Sequence, residues 1–232
     1  MLVEIVTEHC PQDILTHVQL LGQFLSSQLG AAVPAIQVGC AKSTCACIIA
    51  LENDGAREAF KPAIQPIINI LGATLARCDE VDATSIMEYL VTIAQVQPIF
   101  FKGTIDAVVQ AMLTVAKSDD LEFGTRSIAL ELLVTLTETA PALARRCPGL
   151  VQGLVPLAMN IMLDVDETEA EWMAGKYSQE LVEENYFVGE EALERAAAGM
   201  GGRMLAPTIL SLCQQFAGHT KWTYRRAAVA AL

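Results

Sequence analysis

Apolar residues along this chain recur at intervals of three and four, the spacing that gathers them on one side of a helix. Leu, Ala, Ile and Val fill those positions, and Pro, Gly or polar residues separate one run from the next. The pattern predicts a helix from Pro11 to about Leu29 and a second, opened by Pro34, over Ile36–Leu51. Helices follow over Ala56–Arg77 and Asp82–Gln95, with Asp82 placed to cap the second of them. Gln97-Pro98 interrupts, and helices resume over Lys102–Lys117 and Gly124–Thr139. Pro141–Leu163 (broken at Pro148), Val188–Met200, Pro207–Phe216 and Thr223–Leu232 complete the series. Residues 1–10 read as the tail of a further helix. No stretch alternates with period 2, so no strand is expected.

A phrase recurs within this pattern. Leu2-Val3-Glu4-Ile5 runs on to Pro11, Leu90-Val91-Thr92-Ile93 to Pro98, and Leu133-Val134-Thr135-Leu136 to Pro141. The starts lie 88 and 43 residues apart, so the underlying period is about 44, with one copy blurred near Ile48–Glu52. Helix pairs repeating at that period indicate an all-α superhelix of HEAT or armadillo type. Each unit of such a solenoid buries its apolar face only against its neighbours, and the array serves as a scaffold for large partners. Binding is therefore expected rather than catalysis.

The period fails once. Between Asp164 and Glu194 there are 11 acidic residues against a single base, Lys176. The spacing of successive second helices widens here from about 41–45 to about 65 residues. The expected organisation is HEAT repeats over 1–163, an acidic insertion inside a repeat over 164–187, and HEAT repeats over 188–232. The first helix has no partner before it, and the chain stops at Ala-Ala-Leu without a capping signal. This predicts an internal piece of a longer solenoid.

Charge narrows the partners. A net charge of −12 repels phosphate backbones, so direct nucleic-acid binding is not expected, whereas basic protein partners are favoured. Trp172, Tyr177, Tyr186 and Phe187 are interleaved with the acids of the insertion. Two readings of that segment stand: a solvated loop that keeps the array soluble, or an electrostatic contact for a basic partner. In the second, Asp164, Asp166, Glu167, Glu169, Glu171, Trp172, Glu183 and Glu184 form the partner-binding set. Seven scattered cysteines without a CxxC pair read as reduced thiols serving as small apolar residues. Cys45-x-Cys47 places its thiols on different helix faces, so no metal is expected. The uncharged run Ile14–Ala41 is broken by polar residues and Gly-Ala-Ala-Val-Pro, which argues against a membrane span. No basic segment opens the chain as a signal peptide would.

Catalytic candidates are thin. His9, His17 and His219 stand alone, and Ser26-Ser27 and Ser43-Thr44 have no companion base. Gly199-Met200-Gly201-Gly202 follows a helix rather than a strand and precedes no Gly-Lys-Ser/Thr, so it reads as a helix end with glycines tolerating positive φ. Met112, Met159, Met162, Met173, Met200 and Met204 read as fillers of gaps between helices. No enzyme activity and no cofactor are expected.

Four phrases resemble the importin-beta (karyopherin-beta) family. They are the acidic run ending in Trp172, Gly189-Glu190-Glu191-Ala192-Leu193-Glu194-Arg195, Gly201-Gly202, and Trp222-Thr223-Tyr224-Arg225-Arg226-Ala227-Ala228. The long spacer after Trp172 and Ala129–Ala140 are similar to the importin beta-3 branch. The resemblance covers about residues 125–232. It implies a nuclear import receptor that shuttles between cytoplasm and nucleus. Such a receptor binds basic cargo signals on an inner surface and releases cargo when Ran binds in its GTP form. It also contacts phenylalanine-glycine repeats of pore proteins. The acidic insertion would then meet basic side chains, and Trp222, Tyr224 and Arg225 would hold the next repeat together. An Arg early in a second helix can bond the end of a neighbouring helix or pair with an acid one repeat away. The acids here are less dense than in the family's loop, and the repeats that make the family's main Ran contact are absent from this sequence. A non-transport HEAT scaffold is the alternative.

Overall fold

All regular structure among the described residues is helical, and the helices pack as consecutive pairs joined by short turns. The computed structural model describes residues 11–165, 168–173 and 185–232, with backbone alone at 11–15, 171 and 172. The expected helix tail over 1–10 lies outside them. Two compact units are present, Met1–Thr135 and Leu136–Leu232.

In the first unit, α1 (Pro11–Gln28) pairs with α2 (Pro34–Ala50). α1 bends at His17, whose φ/ψ of −120°/15° is not helical. α3 (Asp54–Arg57) and a 3-10 turn (Glu58–Ala63) lead into α4 (Ile64–Ala76), which pairs with α5 (Glu80–Val96). A second 3-10 turn (Pro98–Gly103) leads into α6 (Ile105–Ala116). Equivalent helices stack, α2 on α5 and α4 on α6. α7 (Phe123–Thr139) runs from the first unit into the second.

The second unit continues with α8 (Pro141–Ala144), α9 (Pro148–Ile161), the short α10 (Glu169–Met173), α11 (Asn185–Met200), α12 (Gly202–Ala217) and α13 (Trp222–Ala230). α9 packs on α11, α12 packs on α13, and α9 also stacks on α12.

The core follows the three-four periodicity. Ile64, Ile67 and Leu71 of α4 and Ile86, Met87, Leu90 and Ile93 of α5 are all at or below 1% exposure. Phe60 and Phe101, one in each 3-10 turn, are fully buried, which anchors those turns despite their weaker hydrogen-bond geometry. The helix expected over Ala56–Arg77 is divided because Pro62 lies within the 3-10 turn and cannot donate a ladder hydrogen bond. The break expected at Pro148 is present. Pro207 does not open α12; it lies inside, and the helix begins five residues earlier, at Gly202.

Several helix ends are closed across the packing rather than locally. Almost every long helix lacks a basic residue in its last turn, α2, α11 and α12 among them. Instead Arg57, 6% exposed, donates from Nε to the Ile48 carbonyl at 3.1 Å in the last turn of α2, while Nη1 pairs with Asp54 at 2.6 Å. Arg145 donates to the Met200 and Gly199 carbonyls at 3.0 and 3.3 Å, at the end of α11. Glu80 of α5 accepts from the Glu122 backbone N–H at 3.1 Å and from the Thr125 hydroxyl, so an acid from the preceding repeat caps the start of α7. Lys42 of α2 pairs with Asp82 of α5 at 2.8 Å. Asp82 is thus a cross-repeat partner, and the cap of α5 is Asp79, which accepts from the Asp82 N–H at 3.2 Å. The shift arises because Cys78 adopts φ 59° and lets α4 end in a Schellman turn: Cys78 N–H bonds to Leu75 and Asp79 N–H to Thr74.

α11 lies unusually close to its neighbours. A Cβ on Gly199 would lie 2.4 Å from the Thr137 carbonyl oxygen, and one on Gly189 would lie 2.5 Å from that of Ala158. Gly199 is therefore required for close approach. Of the two, it is Gly201 that turns the chain with φ 88°. Glu138 and Arg195 join α7 to α11 through two parallel hydrogen bonds of 2.9 and 2.7 Å. The Arg195 hydrogen bonds hold the Glu138 carboxyl below its usual value against the opposing effect of burial.

The six described cysteines are free thiols, four of them buried. Burial, reinforced by Cys47, pushes the Cys45 thiol up to about 12, so it behaves as a small apolar group. Met112, Met159, Met162 and Met200 lie in the core, whereas Met173 is 75% exposed. Among the described residues no helix is long and apolar enough to cross a membrane, and no His/Cys/Asp/Glu cluster could hold a metal.

Three outcomes follow in equilibrium unfolding. Gly199→Ala and Gly189→Ala each destabilise by about 1–3 kcal/mol, because the added methyl meets backbone that cannot yield, outweighing the helix propensity of Ala. Cys78→Gly stabilises by about 0.5 kcal/mol, since glycine removes left-handed strain while loosening the unfolded chain, and Cys78→Val destabilises. Glu138→Gln lowers the melting temperature by a constant amount above the usual glutamate value of 4.5. Because the folded carboxyl titrates lower than the unfolded one, that gap closes as pH falls through the depressed value.

Candidate functional site

The acidic segment leaves the fold at the end of α9 and rejoins it at α11. Its mouth is narrow: the Asn185 side-chain amide donates to Asp164 Oδ2 at 2.5 Å, bridging 21 residues. α9 and α11 consequently pack as a pair although the segment separates them in sequence. Asp164 and Glu169 are exposed. Of the other expected partner-binding residues, Asp166, Glu167, Glu183 and Glu184 lie outside the described residues. Glu171 and Trp172 are placed by their backbone in α10.

Glu169 sits at the start of α10, and its carboxylate holds Arg225 Nη2 at 2.7 Å. The same guanidinium donates through Nη1 to the His219 and Thr220 carbonyls at 3.0 and 2.8 Å, just beyond α12. Arg225 therefore bonds both a neighbouring helix end and an acid 56 residues away. Tyr224 stacks on His219 with centroids 3.8 Å apart and meets Phe216 edge-on at 4.8 Å. An expected partner residue and an expected structural residue are thus brought together.

Arg226 is the residue that sequence reasoning passed over. It is 5% exposed, and its guanidinium lies 4.1 Å from the Tyr186 ring centroid and 6.0 Å from that of Trp222. A cation between two aromatic faces, one on α11 and one on its own helix, ties α13 to α11. The Trp222/Arg226 spacing of four was a legible signal for half of this contact. Tyr186 was not, because only folding brings α11 alongside.

The arrangement offers carboxylates, a few exposed apolar side chains such as Met173 and Phe187, and internal cations that steady them. It is suited to holding a basic surface by charge.

An importin-repeat family model matches residues 118–207, which contain the acidic segment. Importin subunit beta-3 of Saccharomyces cerevisiae is 33% identical over 151 residues, 64% of this chain and 14% of that protein. Solved structures of the karyopherin Kap121p bound to the SUMO protease Ulp1p and bound to Nup53p each superpose with a TM-score of 0.84 at 25% identity. Each match covers 99% of this chain and 23% of Kap121p, so the chain spans under a quarter of the relatives it matches. The fold is accordingly an all-α HEAT-repeat solenoid of the karyopherin kind, and residues 118–207 are similar to the importin repeat of importin-beta proteins.

Proposed function

We propose that this chain is the part of a nuclear import receptor that binds basic cargo signals, with cargo released when Ran binds in its GTP form. The observation that carries the reading is the acidic insertion: 8 of the chain's 27 acidic residues fall between Asp164 and Glu184. It sits within the importin-repeat match, and the two described acids of its stem, Asp164 and Glu169, face solvent. Solvation alone does not call for such density, since dispersed acids serve solubility equally well. A concentrated negative field raises the encounter rate with a basic segment and disfavours acidic competitors. The repeats on either side hold that field in place, and the mechanism is binding with coupled release rather than chemistry. Kap121p in complex with Ulp1p and with Nup53p supports protein partners of both cargo and pore type for this chain. Contact with phenylalanine-glycine nucleoporins and shuttling between cytoplasm and nucleus belong to the same reading.

Asp164 and Glu169 have internal partners, so the informative variant spares them. Changing Asp166, Glu167, Glu171, Glu183 and Glu184 to amides leaves helicity unchanged, each surface substitution shifting stability by about 0.5 kcal/mol or less. Affinity for a Lys-rich peptide falls, and the loss is larger at low salt than at physiological salt, where the Debye length is about 8 Å. The same comparison in the full-length receptor, titrated with Ran in its GTP form, separates a cargo contact from a Ran contact. Equal affinities of parent and variant at both salt concentrations would leave the insertion as a solvated spacer.

A further inference from the structure

Glu169 is an acid of the insertion whose carboxylate already holds a cation. Arg225 reaches it with an orientation set in advance, because Nη1 is fixed by two carbonyls in the turn after α12 while Nη2 faces Glu169. Tyr224, stacked on His219 beside those carbonyls, steadies the turn that supplies them. Most surface ion pairs are weak because two long side chains must be immobilised to form them. Here the guanidinium is immobilised by other bonds, so that cost falls on Glu169 alone. Both side chains nevertheless remain open to solvent, 37% for Arg225 and 53% for Glu169, so an incoming cation can reach the carboxylate.

We infer that Arg225 is an internal competitor for the partner's basic groups, an autoinhibitory contact that a basic segment must displace from Glu169 to engage the stem of the insertion. This rests on the reading that the insertion receives such a segment. An isolated ammonium gains nothing by the exchange, since one ion pair replaces another that was better oriented. A segment dense in Lys or Arg recovers the loss on other acids of the insertion, so the contact selects against sparsely charged sequences. Displacement does not open the fold, because Arg225 keeps its bonds to His219 and Thr220 in the turn between α12 and α13.

The test is binding of a labelled Lys-rich peptide to the 232-residue chain at low salt. Arg225→Gln should tighten binding by about threefold, in line with the strength of a well-placed surface pair. Lys221→Gln makes the same change in net charge on an exposed neighbour and should give a smaller gain. In a Glu169→Gln background the advantage of Arg225→Gln over Lys221→Gln should vanish. Arg225→Lys keeps the charge and cannot hold two carbonyls and a carboxylate with one ammonium, so it should tighten binding with no change in net charge, which keeps the test decisive if Arg225→Gln folds poorly. Gains from Arg225→Gln equal to those from Lys221→Gln, or gains that persist without Glu169, overturn the inference and leave the proposed function standing. Absence of salt-sensitive peptide binding in every variant overturns the proposed function, and the inference with it.

Discussion

Every helix leaves four N–H and four C=O groups without partners in its own ladder, and a fold whose longer helices run only nine to eighteen residues is rich in such ends. The treatment of those ends organises this molecule. α2 and α11 carry no basic residue in the last turn, and Arg57 and Arg145 supply the missing donors from other segments, while Arg225 bonds the turn that follows α12. Glu80 does the converse for the start of α7. Several of these bonds and pairs connect residues 40 to 57 positions apart, close to one repeat or one repeat plus the insertion. A unit therefore completes its own hydrogen bonding only when its neighbour is in place, the polar counterpart of apolar faces that stacking alone can bury.

Close approach is the second constraint. α11 meets α9 and the end of α7 through Gly189 and Gly199, at distances that leave no room for a side chain. That contact and the Asp164–Asn185 bridge hold α9 and α11 together although a long acidic segment separates them in sequence. The excursion begins and ends at one point, so the pair on either side packs as if directly connected, and loop length adds little to the cost of closure.

Charge in this chain has two uses that sequence does not separate. Glu138, Asp82 and Glu80 are acids of the framework, each held by a group of another repeat. Glu169 belongs to the insertion and is also held from within, by the cation that bonds the turn after α12. The framework thus reaches into the surface proposed to meet a partner.

The sequence by itself determined the helical class, the period and the presence of a break. Three-four spacing, recurrence of a phrase and the clustering of acids are local properties that no later packing could alter. The breaks at Pro98 and Pro148 were legible for the same reason, since a missing N–H is a property of one residue. Other features were settled only by the tertiary structure. Whether Asp79 or Asp82 caps α5 depended on Cys78 taking a left-handed turn and on Lys42 arriving from α2. The role of Gly199 depended on Thr137 lying across it, and that of Arg226 on Tyr186 lying beneath it. The pairing of Glu169 with Arg225 joined two residues whose separate roles had seemed unrelated. In each case the deciding partner lies tens of residues away, and a sequence carries no measure of that distance until its helices stack.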